Sequence, residues 1–344
     1  MKIRFDSDYT EGCHPKILEA LAAANAAQYP GYGTDEVCAR ASALIRSACA
    51  APDAAVHFLV GGTQTNAAVI AAVLRPWEGV LAAETGHIAA HETGAVEAGG
   101  HKVLPLPPTD GKLTAAQLRD AVDQLRADPN AEHIVQPGMV YISQPTEFGT
   151  LYSKDELAAI SAVCREAGLP LFLDGARLGY ALAADPSLRL PDYAAYCDVF
   201  TVGGTKLGCL FGEAVVLCNA ALQPCFRNLM KQRGAMLAKG WLLGLQFEAM
   251  FTDGLYLDCG RAAVDAARHI RAALLEKGIP LAFDSPTNQL FVVLTRAQQA
   301  ALEAGFALGR WDTTGGETDT LRICTSWATT EEQTAALIEA IKAL

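Results

Sequence analysis

Positive charge is scarce in this chain. Lysine and arginine total 27 against 38 aspartates and glutamates, a formal net charge of −11 over 344 residues. That deficit argues against nucleic acid, which is bound through clustered Lys and Arg. It also argues against an anionic membrane surface. A local cationic pocket for a small substrate remains compatible with it. No uncharged apolar run approaches the ~18 residues of a membrane span. The stretch "MKIRFDSDYTEG" has no apolar core of signal-peptide type. The ten cysteines include no Cys-x-x-Cys pair, and most sit in apolar runs, as Cys164, Cys197, Cys218 and Cys324 do. Buried free thiols in a reducing cytoplasm are therefore expected rather than disulfides. There is no Walker loop, no Gly-x-Gly-x-x-Gly and no His-Glu-x-x-His. Internal repeats and low-complexity linkers are also missing; alanine-rich stretches such as "LEALAAANAA" are helix formers.

Half of the residues are apolar (51%) and 19% are charged, as in a globular protein with a large core. Strand-like runs alternate with helical patterns. "VHFLV" (56–60) precedes a helix from Gln64 to Leu74, and "GVLAA" (79–83) precedes another helical stretch. "KVLPLP" leads to a helix opened by Thr114, and "MVYIS" (139–143) to one from Ser153 to Ala167. "LPLFLD" (169–174), "VFTVG" (199–203) and "EAVVLC" (213–218) follow. This order predicts βαβ units around a mostly parallel sheet with helices on both faces. From about Ala220 to Lys277 helical sequence dominates. "QLFVVL" (289–294), a short helix, "TLRICTS" (320–326) and a helix begun near Thr329 then form a small α/β unit. The length suggests two domains, divided in the helical region at about 250–260, into 1–252 and 253–344, with the N-terminal segment contacting the small domain or a neighbouring subunit.

Ligands of open α/β sheets bind beyond the carboxyl ends of the strands. Four features sit at such ends. In "LVGGTQTNAAV" a strand ends at Gly61-Gly62 and Thr63 is read as a helix cap. Free N–H groups of a first helical turn attract an anion, so this is a phosphate cup; alone, a simple tight turn explains it better. In "LFLDGARLGY" a buried strand ends at Asp174, followed by Arg177. An Asp–Arg structural pair and a carboxylate facing a cationic ring nitrogen are equally good readings. In "DVFTVGGTKLGCLFG" the lysine Lys206 stands with no acid within six residues on either side. Burial disfavours an ammonium, and an uncharged amine is a nucleophile suited to carbonyl chemistry. In "AETGHIAAHETGAVE", His87 and His91 are spaced for one helix face. A zinc pair is the weaker reading, because no third ligand follows at a recognisable spacing. An imidazole lying flat on an aromatic cofactor is the alternative for His87, and a solvated surface residue for His91. A phosphate cup, a stacking ring, an acid and a lysine are together what pyridoxal 5'-phosphate requires.

With these four features in that chain order, the sequence resembles the fold-type I pyridoxal-phosphate enzymes, and within them the low-specificity threonine aldolases. The matching pieces are "SDYT" (7–10), "GYGTD" (31–35), "GGTQTN" (61–66), "GHIAAHETGA" (86–95), "LDGARL" (173–178), "GGTKLG" (203–208) and "LRICTSW" (321–327). The resemblance implies that Lys206 bonds to the cofactor aldehyde, Asp174 pairs with the pyridine nitrogen and His87 stacks on the ring. It implies phosphate on the backbone of Gly62 and Thr63, with Arg177 also at the cofactor. Ser7, Arg177 and Arg322 would hold the substrate carboxylate. Where the family often carries Asn-Thr-His before a glycine, this chain reads "SQPTEFG", which puts Glu147 near the histidine position. "MKQRGAMLAKG" likewise replaces a glycine-rich stretch with arginine, leaving Lys231 and Arg233 as cations near the phosphate, at a subunit contact or on a solvated turn.

The implied activity is retro-aldol cleavage of L-threonine or L-allo-threonine to glycine and an aldehyde. The base is His87, Glu147 or a water, and no metal takes part. A β-eliminating lyase or an aminotransferase using the same cofactor is the alternative. A cofactor-free α/β binding protein and a zinc protein are the readings outside that class. The resemblance further implies a cytoplasmic homotetramer built of dimers that share active sites, with Ser7 to Asp35 across an interface. The apolar stretch 236–251 suits such an interface and suits the core of one subunit equally.

Overall fold

The computed structural model describes residues 2–312 and 316–344; Met1 and residues 313–315 lie outside the described residues. Among the described residues eleven strands form two sheets: β1 (Ile3–Phe5), β2 (Ala55–Leu59), β3 (Glu78–Ala83), β4 (Lys102–Leu106), β5 (Gln136–Ser143), β6 (Leu171–Asp174), β7 (Val199–Gly203), β8 (Glu213–Leu217), β9 (Gln289–Thr295), β10 (Phe306–Asp312) and β11 (Thr318–Cys324). The seven-stranded sheet has the order β2-β8-β7-β6-β5-β3-β4. Strands β3 to β7 pair in parallel, as does β4 with β3. The other end of the sheet departs from the expected βαβ rhythm. Strand β8 runs antiparallel to both β7 and β2. Residues 204–212 between β7 and β8 are too few for a crossover helix, so the chain must turn straight back.

The central strands are buried on both faces, which is why they read as continuous apolar runs. Phe200, Val202, Ala214 and Val216 join one core; Val199, Val215, Leu217 and Phe172 join the other. Helix Gly62–Val73 covers the second face, and helices Glu36–Ala48, Lys154–Ala167 and Trp241–Phe251 pack on the first. Each fully buried side chain of this size contributes about 1.5–3 kcal/mol of transfer free energy. The apolar stretch at 236–251 is helical only over Trp241–Phe251 and belongs to the subunit's own core. A Cβ on Gly244 would sit 2.7 Å from the Cys38 Cα, so only glycine admits that helix contact.

Helix Leu255–Glu276 leads to the four-stranded sheet, of order β1-β10-β11-β9. Two of its strands were not anticipated. Strand β1 comes from the N-terminal segment and pairs in parallel with β10, which itself runs antiparallel to β11. Helix starts at Thr114 and Ser153 agree with expectation, each closing a capping box, and the last helix is capped by Thr330. All ten cysteines are free; Cys164, Cys197 and Cys324 are buried, whereas Cys218 is half-buried and Cys225 exposed.

Candidate active site

The strand ends of β5, β6 and β7 and the loops after β2 and β3 close around one cavity. Its inner part, about 40 Å³, is lined among others by Gly62, Asn66, Asp174 and Lys206. Its outer part, about 500 Å³, adds Tyr9, His91, Gln289, Trp311 and Arg322. His87, Glu147, Arg177 and Lys206 border both parts.

Lys206 sits on a single tight turn, Thr205–Leu207, immediately after β7. Gly204 and Thr205 donate their N–H groups to the Gly212 carbonyl at 3.0 and 3.1 Å, and the Tyr180 hydroxyl donates to the Lys206 carbonyl. Gly208 closes the turn at φ 110°, a conformation that favours glycine. The Lys206 ammonium is half-buried, 5.9 Å from the centre of the Tyr9 ring, and forms no ion pair among the described residues.

Asp174 ends β6 and is buried. Its Oδ2 accepts from the Tyr141 hydroxyl at 2.7 Å and from Asn66 Nδ2 at 3.0 Å; its Oδ1 accepts from the Ala176 N–H at 2.9 Å. Burial alone would raise this carboxyl, but the bonds from Tyr141 and Asn66 outweigh it and hold it below its ordinary value. The Asp174–Arg177 pair does not form. Arg177 instead gives two bonds to Asp8, Nε to Oδ2 at 2.6 Å and Nη2 to Oδ1 at 2.9 Å. Asn288 donates to the same Asp8 Oδ2 at 2.9 Å. Burial pushes the Asp8 carboxyl up, and the guanidinium of Arg177 pulls it further down.

His87 opens a short helical turn, His87–Ala90, beyond β3. Its Nδ1 lies 2.8 Å from Glu92 Oε1, a pairing that places a proton on Nδ1. Asn66 Nδ2 bonds that same Glu92 oxygen at 2.8 Å, so one amide joins the His87 partner to Asp174. The bond to Glu92 raises the imidazole above its ordinary value, with burial opposing. Glu147 Oε1 accepts from the Ser143 hydroxyl and from the His87 N–H, both at 2.8 Å. Burial nevertheless lifts the Glu147 carboxyl above its ordinary value. Two carboxyls in one cavity are thus displaced in opposite directions.

Other expected residues divide. Gly62 lines the cavity, but Thr63 does not cap its helix: the cap is Gly61, and Thr63 stands exposed one residue inside. A hydroxyl cap was the natural reading of the sequence, yet the helix starts two residues earlier. Arg322 lies on β11 at the cavity mouth, donating to Gln289 Oε1 at 3.2 Å and the Asp6 carbonyl at 3.0 Å, over the Trp311 ring. Its buried Nε has no partner. Ser7 is buried with an unpartnered hydroxyl and is not among the cavity-lining residues. His91 packs between His87 and Trp311, at 5.8 and 6.4 Å between ring centres. No three His, Cys, Asp or Glu side chains converge for a metal among the described residues. Lys231 lies outside the cavity, over the Tyr32 ring at 4.4 Å. Arg233 bonds the Gly99 carbonyl at 3.3 Å, and its own carbonyl accepts from Gln64 of the helix Gly62–Val73.

The site suits an elongated anionic cofactor. A Cβ on Gly61 or Gly62 would meet nothing within 4 Å, so space is left in front of the free N–H groups of a twelve-residue helix. Asp174, an acid held ionised, stands across the same inner space from Lys206.

Residues 4–312 match the family model described as beta-eliminating lyase. The chain belongs to that family. The low specificity L-threonine aldolase of Pseudomonas aeruginosa is 34% identical over 346 residues, covering 98% of this chain and 97% of that protein. The enzyme of the same name from a Pseudomonas species is 32% identical, covering 99% and 97%. A solved structure of Leishmania major threonine aldolase superposes with a TM-score of 0.96 at 46% identity, covering 99% of both chains. The lyase thus stands among the low-specificity threonine aldolases, as its motifs imply. A Thermus thermophilus aspartate aminotransferase variant, 14% identical with a TM-score of 0.71, covers 100% of this chain and 92% of that one and shares the fold alone. The fold is accordingly that of the fold-type I enzymes, and the family's enzymes are pyridoxal-phosphate-dependent lyases.

Proposed function

We propose that this lyase uses pyridoxal 5'-phosphate to cleave L-threonine and L-allo-threonine to glycine and an aldehyde. One observation carries the reading: Lys206, Asp174 and the glycine cup border one cavity in a chain this similar to threonine aldolases. When bound, the cofactor supplies an electron sink for the pair left at Cα. Lys206 would hold its aldehyde carbon, and Asp174 would keep a proton on its ring nitrogen. His87, fixed by Glu92, would lie against the ring. The N–H groups of Gly62 and Thr63 would receive the phosphate, with Arg177 beside the cofactor.

Arg322 and Arg177 would hold the substrate carboxylate; Ser7, which does not line the cavity, is left out of that clamp. Arg177 enters that role already tethered to Asp8, so its direction is set before substrate arrives. A carboxylate held by these groups would fix how the substrate is oriented in the cavity. Glu147 is the better placed base for the β-hydroxyl proton. It lies at the junction of the two cavity parts, and burial brings its carboxyl toward working pH. His87 is the second candidate base.

The large unit would span 1–252 and the small unit 253–344, with β1 of the large unit docked on the small sheet. Shared active sites in a cytoplasmic homo-oligomer, dimer or tetramer, complete the reading. No helix among the described residues is long and apolar enough to cross a membrane. The family description favours β-elimination as the second activity. A visible spectrum, followed by product analysis with threonine, allo-threonine and serine, decides between them. Glycine and acetaldehyde are expected; a keto acid and ammonia would overturn the aldolase assignment.

A further inference from the structure

One buried acid at the cavity end of the sheet takes no part in the chemistry proposed above. Glu213 begins β8 and is 2% exposed. Its register places it opposite Leu59 on β2 and opposite Gly203 on β7. Leu59 is followed at once by Val60 and the cup Gly61-Gly62. Gly203 is followed by Gly204, Thr205 and Lys206. Glu213 therefore occupies the strand end between the two places where the cofactor would be attached. Side chains alternate along a strand, so Glu213 shares the face of Val215 and Leu217. That face is covered by helix Gly62–Val73, whose N-terminus is the cup. Its Oε2 has no partner, and neither has the buried Thr65 hydroxyl in that helix.

We propose that Glu213 is a positioning residue for the cofactor phosphate: kept as the neutral acid, it leaves the floor beneath the glycine cup free of negative charge. An ionised carboxylate there would repel the phosphate through a medium with little screening. The surroundings favour the neutral form. Burial lifts the carboxyl to about 8, with Asp174 adding to the rise, against the pull of Lys206 and of hydrogen bonds from Thr205 and Gly204. Cys209 and Tyr256 are the other titratable neighbours, and both are pushed up by burial. His57, on the same face of β2, is held neutral by burial, down to about 4. Residues 62–66 of the covering helix carry no charge.

This inference rests on the cofactor assignment, and its test separates the two. Pyridoxal phosphate affinity is measured by absorbance between about pH 7 and about pH 9.5 for the full chain and for Glu213→Gln, which is neutral at every pH. Near pH 7 the two should agree within about twofold; at the alkaline end the natural chain should bind about tenfold more weakly than the variant, a tenfold change being one pKa unit of coupling. Curves that run parallel over the whole range overturn the proposal while leaving the cofactor assignment standing. A natural chain that never binds pyridoxal phosphate overturns both. If Glu213→Gln fails to fold, the natural chain with pyridoxal decides, since that aldehyde has no phosphate. Its affinity should lack the alkaline loss beyond whatever Lys206 imposes on both ligands, and a parallel loss overturns the proposal.

Discussion

The two sheets prepare their side chains for the cavity differently. From the seven-stranded sheet and its loops come Asp174, Asn66, Glu92, His87 and Glu147, already bonded to one another at 2.8–3.0 Å. From the four-stranded sheet come Arg322, Gln289 and Trp311, and there a buried guanidinium Nε and a buried Gln289 amide nitrogen have no partner. Groups that set the charge of a cofactor gain from being fixed beforehand, because no reorganisation is then needed during reaction. Groups that meet a variable substrate keep unsatisfied donors for it. On the proposed function, the large sheet would serve the chemistry and the small one recognition of the substrate.

That division can be broken most severely at Lys206. Lys206→Ala should lose both the cofactor-dependent visible band and all detectable turnover, and an unchanged spectrum would remove the covalent role. Asp174→Ala should come next, lowering kcat by about a hundredfold or more with a far smaller change in cofactor affinity, since its charge matters mainly once electrons reach the ring. Equal turnover would end the electron-sink argument. On the small sheet, Arg322→Ala should raise KM about ten- to a hundredfold, the value of a hydrogen bond to a charged group, and change kcat little. If kcat fell with KM unchanged, Arg322 would belong with the chemical groups and the contrast between the sheets would blur.

The smallest expected effect concerns Glu92. Its bond raises His87 above 6.5, so the pair stabilises the fold below that value and the contribution fades as pH climbs through the raised one. Glu92→Gln should lower the His87 titration seen by NMR and flatten that slope, at a cost in kcat of about severalfold. An unmoved His87 titration would show that Glu92 does not govern the ring.

Strands buried on both faces were legible because they are continuous apolar runs. Strands β1 and β10 were not: "IRF" is three residues long, and "FALGRWD" gives way after three apolar residues to a glycine and two charges, without the alternation of a half-buried strand. Lys206, Asp174 and His87 stood out because each follows or ends a strand beside glycine. Asp8, Asn66 and Glu92 lie inside the matched pieces, yet their roles depend on partners as far away as the 280 positions that separate Asp8 from Asn288. No local pattern carries that information. Thr63 misled for the opposite reason, since the local cap rule was obeyed in appearance while Gly61 took the position.

The Asp8 carboxylate has one more consequence. It is gripped by Arg177 beyond β6 and by Asn288 just before β9, so a single side chain rivets the two sheets together where substrate would enter. Any rocking of the small sheet must drag the Arg177 guanidinium with it. Were the small sheet to move, carboxylate capture by Arg177 would be mechanically part of the same event, and a chain cut after Asp8 would lose the link, leaving a sequestered cation without its counterion.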